Sequence, residues 1–98
     1  MARYYYTDYV NHMLRLYFKT DGKDLWTEIN EMNYNIAKDV VENLPLEQQE
    51  MLADIILPDN PIPFNVGRLV RYYGVDEEVG WELLNDVTEK IAKKRGLI

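Results

Sequence analysis

The sequence predicts a single all-α domain. Apolar residues recur with helical spacing in five stretches of the 98-residue chain, and proline or glycine separates most of these stretches. No stretch shows the two-residue alternation of a half-buried strand. At this length, with 47% hydrophobic residues, the chain builds one core. We therefore expect about five helices in one domain over 1–98, with an N-terminal helical pair in 1–44 and a second portion in 45–98.

The N-terminal portion contains two predicted helices. The first runs from Asp8 to Lys19, and Thr7 is its expected N-cap. Its apolar stripe consists of Tyr6, Val10, Met13, Leu14, Tyr17 and Phe18. A turn at Gly22 follows, and Asp24 then caps a second helix that reaches about Asn43. The inner face expected for this helix consists of Trp26, Ile29, Met32 or Asn33, Ile36, Val40 and Leu44.

Prolines mark the boundaries of the middle of the chain. Pro45 disfavours helix at the preceding residue and suits the first turn of a new helix. A third helix is predicted over Leu46 to Leu57, with Leu52, Ile55 and Ile56 facing inward. Three prolines fall between Pro58 and Pro63, so this segment is expected to be a non-helical connector.

The last two helices are predicted to meet at a short glycine turn. A helix over Phe64 to Tyr73 ends at Gly74, and Asp76 caps a final helix that stops at Gly96. The residues expected to face inward are Val66, Leu69, Val70 and Tyr73 on the fourth helix and Val79, Leu83, Leu84, Val87 and Ile91 on the fifth.

Composition limits the location and chemistry of the protein. The chain has no cysteine, which excludes disulfides and thiolate metal sites. Its N-terminus does not resemble a signal peptide, and no apolar run approaches the roughly 20 residues of a membrane span. We therefore expect a cytoplasmic protein without membrane contact. With a single His, no phosphate-binding glycine loop and no HExxH motif, we expect no enzyme activity, metal or cofactor.

The net charge of −6 disfavours autonomous binding to nucleic acid. Proteins bind phosphates largely through Lys and Arg, and an acidic chain repels DNA unless its basic groups share one face. This charge favours a basic protein as partner, although it also serves simply to keep a small domain soluble.

The segment from Leu69 to Val79 has the layout of a helix-turn-helix. A short apolar helix leads into Gly74 and Val75, and Asp76 then opens a second amphipathic helix. Glycine suits the backbone of such a turn, and the apolar residue after it fills the gap between the helices. A plain helical hairpin has the same layout, so the pattern by itself leaves both interpretations open.

The residues from Leu46 to Ile98 resemble region 4 of sigma-70-type factors, with a helix, a gap, a short helix, a glycine turn and a recognition helix. The whole chain resembles small sigma-70-like proteins of phages and mobile elements. This wider resemblance is carried by Tyr6 to Arg15 (YTDYVNHMLR) and Ile91 to Ile98 (IAKKRGLI). The resemblance implies transcriptional regulation through promoter DNA, RNA polymerase or both.

In this interpretation the last helix lies in the major groove with its first residues at base edges. The expected DNA-contacting residues are Arg68, Arg71, Glu77, Glu78, Trp81 and Glu82. Arg68 and Arg71 would hold phosphates, and further cations follow at Lys90, Lys93, Lys94 and Arg95. The chain departs from the family pattern at Gly80, where an aliphatic core residue is usual. We expect either Trp81 or a neighbouring chain to fill that space.

The acidic residues on the last helix support an alternative from another functional class. In that interpretation the protein mimics nucleic acid and inhibits a basic nucleic-acid-binding enzyme. The carboxylates that would occupy the basic groove of the enzyme belong to Asp76, Glu77, Glu78, Glu82 and Asp86. The aromatic N-terminus and Gly80 keep a third possibility open, which is a helical homodimer.

Overall fold

The structure of the protein is a computed structural model. It consists of helices and loops in the residues that it describes. The structure describes residues 5–20 and 27–98, and no strand occurs within these two ranges. The helices are α1 (Thr7–Lys19), α2 (Glu28–Glu42), α3 (Leu46–Ile56), α4 (Ile62–Tyr73) and α5 (Glu77–Arg95). The all-α class predicted from the sequence is therefore confirmed.

Three predicted helix starts differ from the structure. Helix α1 begins at Thr7 with Tyr6 in the N-cap position, so Thr7 is not the cap. Helix α2 begins at Glu28, where the hydroxyl of Thr27 accepts a 3.1 Å hydrogen bond from the Asn30 N–H. The predicted turn and cap at Gly22 and Asp24, and the predicted inward residue Trp26, lie outside the described residues.

Helix α4 begins earlier than the prolines suggest. It starts at Ile62, inside the segment predicted to be non-helical, and Pro63 lies in its first turn. A proline there sacrifices no hydrogen bond, because the first N–H groups of a helix have no partner within the helix. The expectation of a non-helical segment up to Pro63 was therefore wrong at its C-terminal end.

Helix α5 forms the centre of the packing, because it contacts each of the other four helices. Four of its five predicted inward residues, Leu83, Leu84, Val87 and Ile91, are buried. The predicted inward residues of α3 are buried as well, and so are Val10, Met13 and Leu14 on α1. On α1, α3 and α5 helical spacing therefore identifies most of the buried apolar residues.

Some apolar residues predicted to face inward are exposed instead. The exposed fractions are 57% for Ile29, 44% for Val70 and 42% for Val79. On α4 the buried face is centred on Val66 and Leu69, which turns the next residue toward solvent. On α2 the buried face passes through Asn33 and includes Ala37 and Val41, neither of which was predicted. Met32 is 41% exposed, so Asn33 is the inward member of the predicted pair.

A polar contact explains why Asn33 is buried. Its side-chain amide donates a 2.9 Å hydrogen bond to the Tyr9 hydroxyl and accepts a 2.9 Å hydrogen bond from the Arg95 guanidinium. The guanidinium of Arg95 also lies over the Tyr9 ring, 5.8 Å from its centroid. The Asn33 hydrogen bond is the main cause of a lowered Tyr9 pKa. This contact joins the C-terminal turn of α5 to α1 and α2.

Candidate functional site

Helices α4 and α5 meet at a short turn, as the sequence predicts. Gly74 has a left-handed backbone with φ of 64°, and its N–H donates a 3.2 Å hydrogen bond to the Val70 carbonyl. Val75 is partly buried against the core. Asp76 occupies the N-cap position of α5, but its side chain makes no capping hydrogen bond. The position of the cap was predicted correctly, whereas its expected hydrogen bond is absent.

Among the described glycines, Gly80 has the closest neighbours to the position of its missing Cβ. At this residue α5 packs tightly against α4. A Cβ added at Gly80 would lie 2.9 Å from Leu69 Cδ1 and 3.1 Å from Val66 Cγ1. The space next to Gly80 is therefore filled by two side chains of α4, rather than by Trp81 or a second chain. This packing fixes the position of the N-terminal half of α5 on α4.

The two arginines expected to hold phosphates lie on α4. The Arg68 guanidinium donates a 3.2 Å hydrogen bond to the Tyr72 hydroxyl and lies 5.4 Å from the centroid of that ring. Arg68 also lines a small cavity of about 210 Å³ together with Asp54 and Asn65. Arg71 is exposed. These contacts orient Arg68 through Tyr72, a residue that the sequence analysis did not single out.

Trp81 lies on a different surface from Arg68. It is partly buried and lines a cleft of about 700 Å³ between α1, the 58–61 connector and α5, with Leu84 one turn further along. Residues three apart on a helix share a face, which explains why these two line the same cleft. Ile62 adds an apolar side chain to the lining of this cleft, and Arg15 adds a basic one.

Glu82 lies on a third surface, which we call the acidic cleft. This cleft has a volume of about 720 Å³ and lies between α3 and α5. Its carboxylates belong to Glu47, Glu82, Asp86 and Glu89, and its apolar side chains are Met51, Val75, Val79 and Leu83. No Lys or Arg lines it. The acidic cleft therefore combines an apolar floor with a negatively charged rim.

The structure thus distributes the six predicted DNA-contacting residues over several surfaces. Glu77 and Glu78 are exposed in the first turn of α5, where carboxylates suit the positive end of the helix dipole. A Cβ added at Gly67 would lie 3.3 Å from a Glu77 carboxylate oxygen, so Glu77 lies against α4. Of the alternative partner-binding set, Asp76, Glu77 and Glu78 form this first turn, whereas Glu82 and Asp86 share the acidic cleft.

The α3 side of the acidic cleft was not found from the sequence. Glu47 and Met51 are four residues apart and therefore share a face of α3. Their spacing was visible in the sequence, but nothing there indicated that this face lies opposite Glu82 and Leu83. Only the packing of α3 against α5 brings these two helix faces together.

Most cations near the end of α5 contact side chains of their own chain. Lys90 pairs with Asp86 at 3.0 Å, Lys93 pairs with Glu89 at 3.0 Å and Lys94 pairs with Asp39 at 2.5 Å. Arg95 is held by Asn33 and Tyr9, as described above. Such exposed pairs are weak, at about 0–1 kcal/mol each, but they lower the positive charge available to a phosphate backbone.

Two further kinds of site are not seen in the residues that the structure describes. No group of three or more His, Asp or Glu side chains in 5–20 and 27–98 is placed to hold a metal ion. None of the described helices is both long and apolar enough to cross a membrane.

No family model, curated protein or solved structure matches this chain. The resemblance to sigma-70 region 4 therefore depends on the helix pattern and the residues quoted from the sequence.

Proposed function

We propose that this protein is a transcription regulator that acts by binding bacterial RNA polymerase through the surface of its α4–α5 unit. The observation that carries the proposal is the short α4, left-handed Gly74 and long α5, which suit a helix-turn-helix of the sigma-70 region 4 kind. The close packing at Gly80, where the chain departs from the family pattern, fixes how α5 lies on α4.

The charges favour a protein over DNA as the main partner. The exposed groups at the start of α5 include the carboxylates of Glu77, Glu78 and Glu82, which would face phosphates if this helix entered a major groove. Arg68 and Arg71 are the two cations of α4, and we assign contact with promoter DNA to them. We therefore assign promoter contact to the complex with polymerase, in the cytoplasm, and assign no catalytic activity to the protein.

The test is to titrate the chain into immobilised bacterial RNA polymerase, with and without a promoter fragment. We expect saturable binding to polymerase and no shift of the promoter fragment by the chain alone. The double variant Arg68→Ala with Arg71→Ala should weaken retention of DNA in the ternary complex by roughly tenfold, through the loss of two phosphate contacts.

The matched control for this variant is Lys19→Ala with Lys38→Ala, which removes two exposed cations from α1 and α2. It should leave retention of DNA unchanged. The proposal fails if the wild-type chain does not bind polymerase. It also fails if the arginine variant leaves every polymerase and DNA interaction as it was.

The second candidate is an acidic module that mimics nucleic acid and inhibits a basic nucleic-acid-binding enzyme. One observation favours it: all five carboxylates proposed for that role, at Asp76, Glu77, Glu78, Glu82 and Asp86, are exposed along the first half of α5. Inhibition of a basic nuclease that disappears in Glu77→Lys with Glu78→Lys would support this candidate. Inhibition that persists in the variant would count against it.

A further inference from the structure

We propose that the acidic cleft between α3 and α5 binds a basic amphipathic helix of a partner protein. The inference rests on the proposed function only in that the protein acts through a protein partner. The cleft reaches the α4–α5 turn at Val75 but does not include the arginines assigned to promoter contact, so it is a contact surface distinct from theirs.

The apolar floor of the cleft fits one face of a helix. Met51 is 4% exposed and Leu83 is 9% exposed, so both belong to the core and offer only their outer edges. Val79 is 42% exposed and lies one turn before Leu83 on the same face of α5. When a partner covers an exposed aliphatic side chain beside a buried apolar floor, apolar surface leaves water, and this favours binding. The floor therefore selects an apolar stripe rather than an extended polar chain.

The rim of the cleft selects the charge of the partner. Four carboxylates line it and no cation does. Asp86 and Glu89 have ion pairs with lysines of α5. In the described part of the chain no hydrogen bond or ion pair involves the carboxylates of Glu47 and Glu82. These two line the cleft from α3 and from α5, where Lys or Arg side chains flanking an apolar stripe would meet them.

The length of the cleft also suits a helix. From Val79 to Glu89 the lining residues of α5 extend over about 15 Å, at 1.5 Å per residue. That distance corresponds to nearly three helical turns, enough for two or three apolar anchors at i, i+3 or i+4 and i+7. A nucleic acid is excluded as the occupant because its phosphates would meet the four carboxylates.

The inference is tested with a designed probe of about 18 residues, which is long enough to form a helix. The probe carries Leu on one face and Lys on the other and has a fluorescent label, and its matched counterpart has Glu in place of Lys. Titration with the full chain should give saturable binding of the Lys probe that weakens as salt is added, and none of the Glu probe. Labelled backbone amides should shift at Met51, Leu83 and Asn85.

Two variants separate the cleft from general charge attraction. Glu47→Gln with Glu82→Gln should weaken binding of the Lys probe by roughly three- to tenfold, the effect of losing two exposed ion pairs. Val79→Ser should weaken it by roughly threefold without a change in charge. The control, Glu28→Gln with Glu31→Gln on α2, lowers the negative charge equally and should have no effect. Helix content measured by circular dichroism should be the same in all variants.

The inference is overturned if the Lys probe does not bind, if the α2 control weakens binding as much as the cleft variant, or if the shifted amides lie elsewhere. Because this assay contains no polymerase, its result is independent of the proposed function. If the probe binds at the cleft but the chain does not bind polymerase, the proposed helix-binding role of the cleft is supported and the proposed regulatory function is refuted. If the chain binds polymerase but not the probe, the regulatory function is supported and the helix-binding role of the cleft is refuted.

Discussion

At the scale of single residues, Gly80 shows why a poor helix former is present in a central helix. Glycine costs about 1 kcal/mol relative to Ala in a helix interior. Here the loss is offset because the absence of a Cβ lets Leu69 and Val66 approach the backbone of α5. Gly67 on α4 has a different environment, since the nearest atom to its missing Cβ is an oxygen of the flexible Glu77 side chain.

These environments predict opposite effects of the same substitution. Gly80→Ala should lower the free energy of unfolding by about 1 kcal/mol, because crowding of about 2 kcal/mol exceeds the gain in helix propensity. Gly67→Ala should raise it by about 0.5–1 kcal/mol. Urea unfolding of both variants measures the difference, and adding Leu69→Val to Gly80→Ala should recover part of the loss. Equal stabilisation by both substitutions would contradict the packing at Gly80.

Tyr73 provides a pH-dependent contribution to stability. Its hydroxyl donates a 2.5 Å hydrogen bond to the Asp54 carboxylate, and this bond is the main reason that its pKa rises to about 12 from an ordinary value of 10.0. The protonated hydroxyl is therefore favoured in the folded state. The contribution is complete below about pH 10 and is lost as pH rises toward about 12.

Tyr73→Phe should therefore lower stability by up to about 1 kcal/mol near neutral pH, since the bond is exposed to solvent. The difference between wild type and variant should shrink between about pH 10 and pH 12. Urea unfolding at several pH values measures it. Tyr17→Phe is a useful comparison, because the Tyr17 pKa also rises to about 12 but mainly through burial. A difference that stays constant with pH would refute the role of the hydrogen bond.

At the scale of helices, the starts of α2 and α5 carry similar capping residues with different geometry. The Thr27 hydroxyl caps α2 by accepting from the Asn30 N–H, whereas the Asp76 carboxylate makes no such bond to α5. A capping hydrogen bond therefore stabilises the start of α2 but not that of α5, although both residue types are common N-caps.

Thr27→Ala should cost about 1 kcal/mol of unfolding free energy, because it leaves an N–H of the first turn without its partner. Asp76→Ala should cost only a few tenths of a kcal/mol, from the loss of a negative charge near the helix dipole. Thermal unfolding of both variants compares the two costs. A larger loss for Asp76→Ala would mean that its carboxylate caps α5 in solution.

At the scale of the whole molecule, α5 makes the fold a single unit. It contacts α1, α2, α3 and α4, and its C-terminal turn is tied to Asn33 and Tyr9. Loss of α5 would therefore expose the apolar faces of all the other helices at once. Unfolding should be cooperative for this reason.

The chain should therefore unfold in one transition. In a Trp26→Phe background, fluorescence reports on Trp81 alone, and its urea midpoint should match that of helix content by circular dichroism. Both midpoints should be independent of protein concentration for a monomer. Separate midpoints would refute cooperative packing around α5. A midpoint that rises with concentration, together with a doubled mass by light scattering, would support the homodimer instead.

For the part of the chain that the structure describes, the sequence by itself determined the number of helices, their order and most of their buried faces. Helical spacing identifies a face such as Leu83 to Ile91 because burial in this fold follows the apolar stripe. Glycine and proline likewise place the ends of α4 and α5 within about two residues, because their backbone limits are local.

Only the tertiary structure decided which helix faces meet. Asn33 is buried although it is polar, since Tyr9 and Arg95 satisfy its amide from two other helices. Gly80 meets Leu69, and Glu47 lines the same cleft as Glu82, although neither pair is close in sequence. These contacts depend on the angles and offsets between packed helices, which arise from the fit of all the side chains together. The sequence therefore determined which residues belong to α5, and the packing decided which of its surfaces are available to a partner.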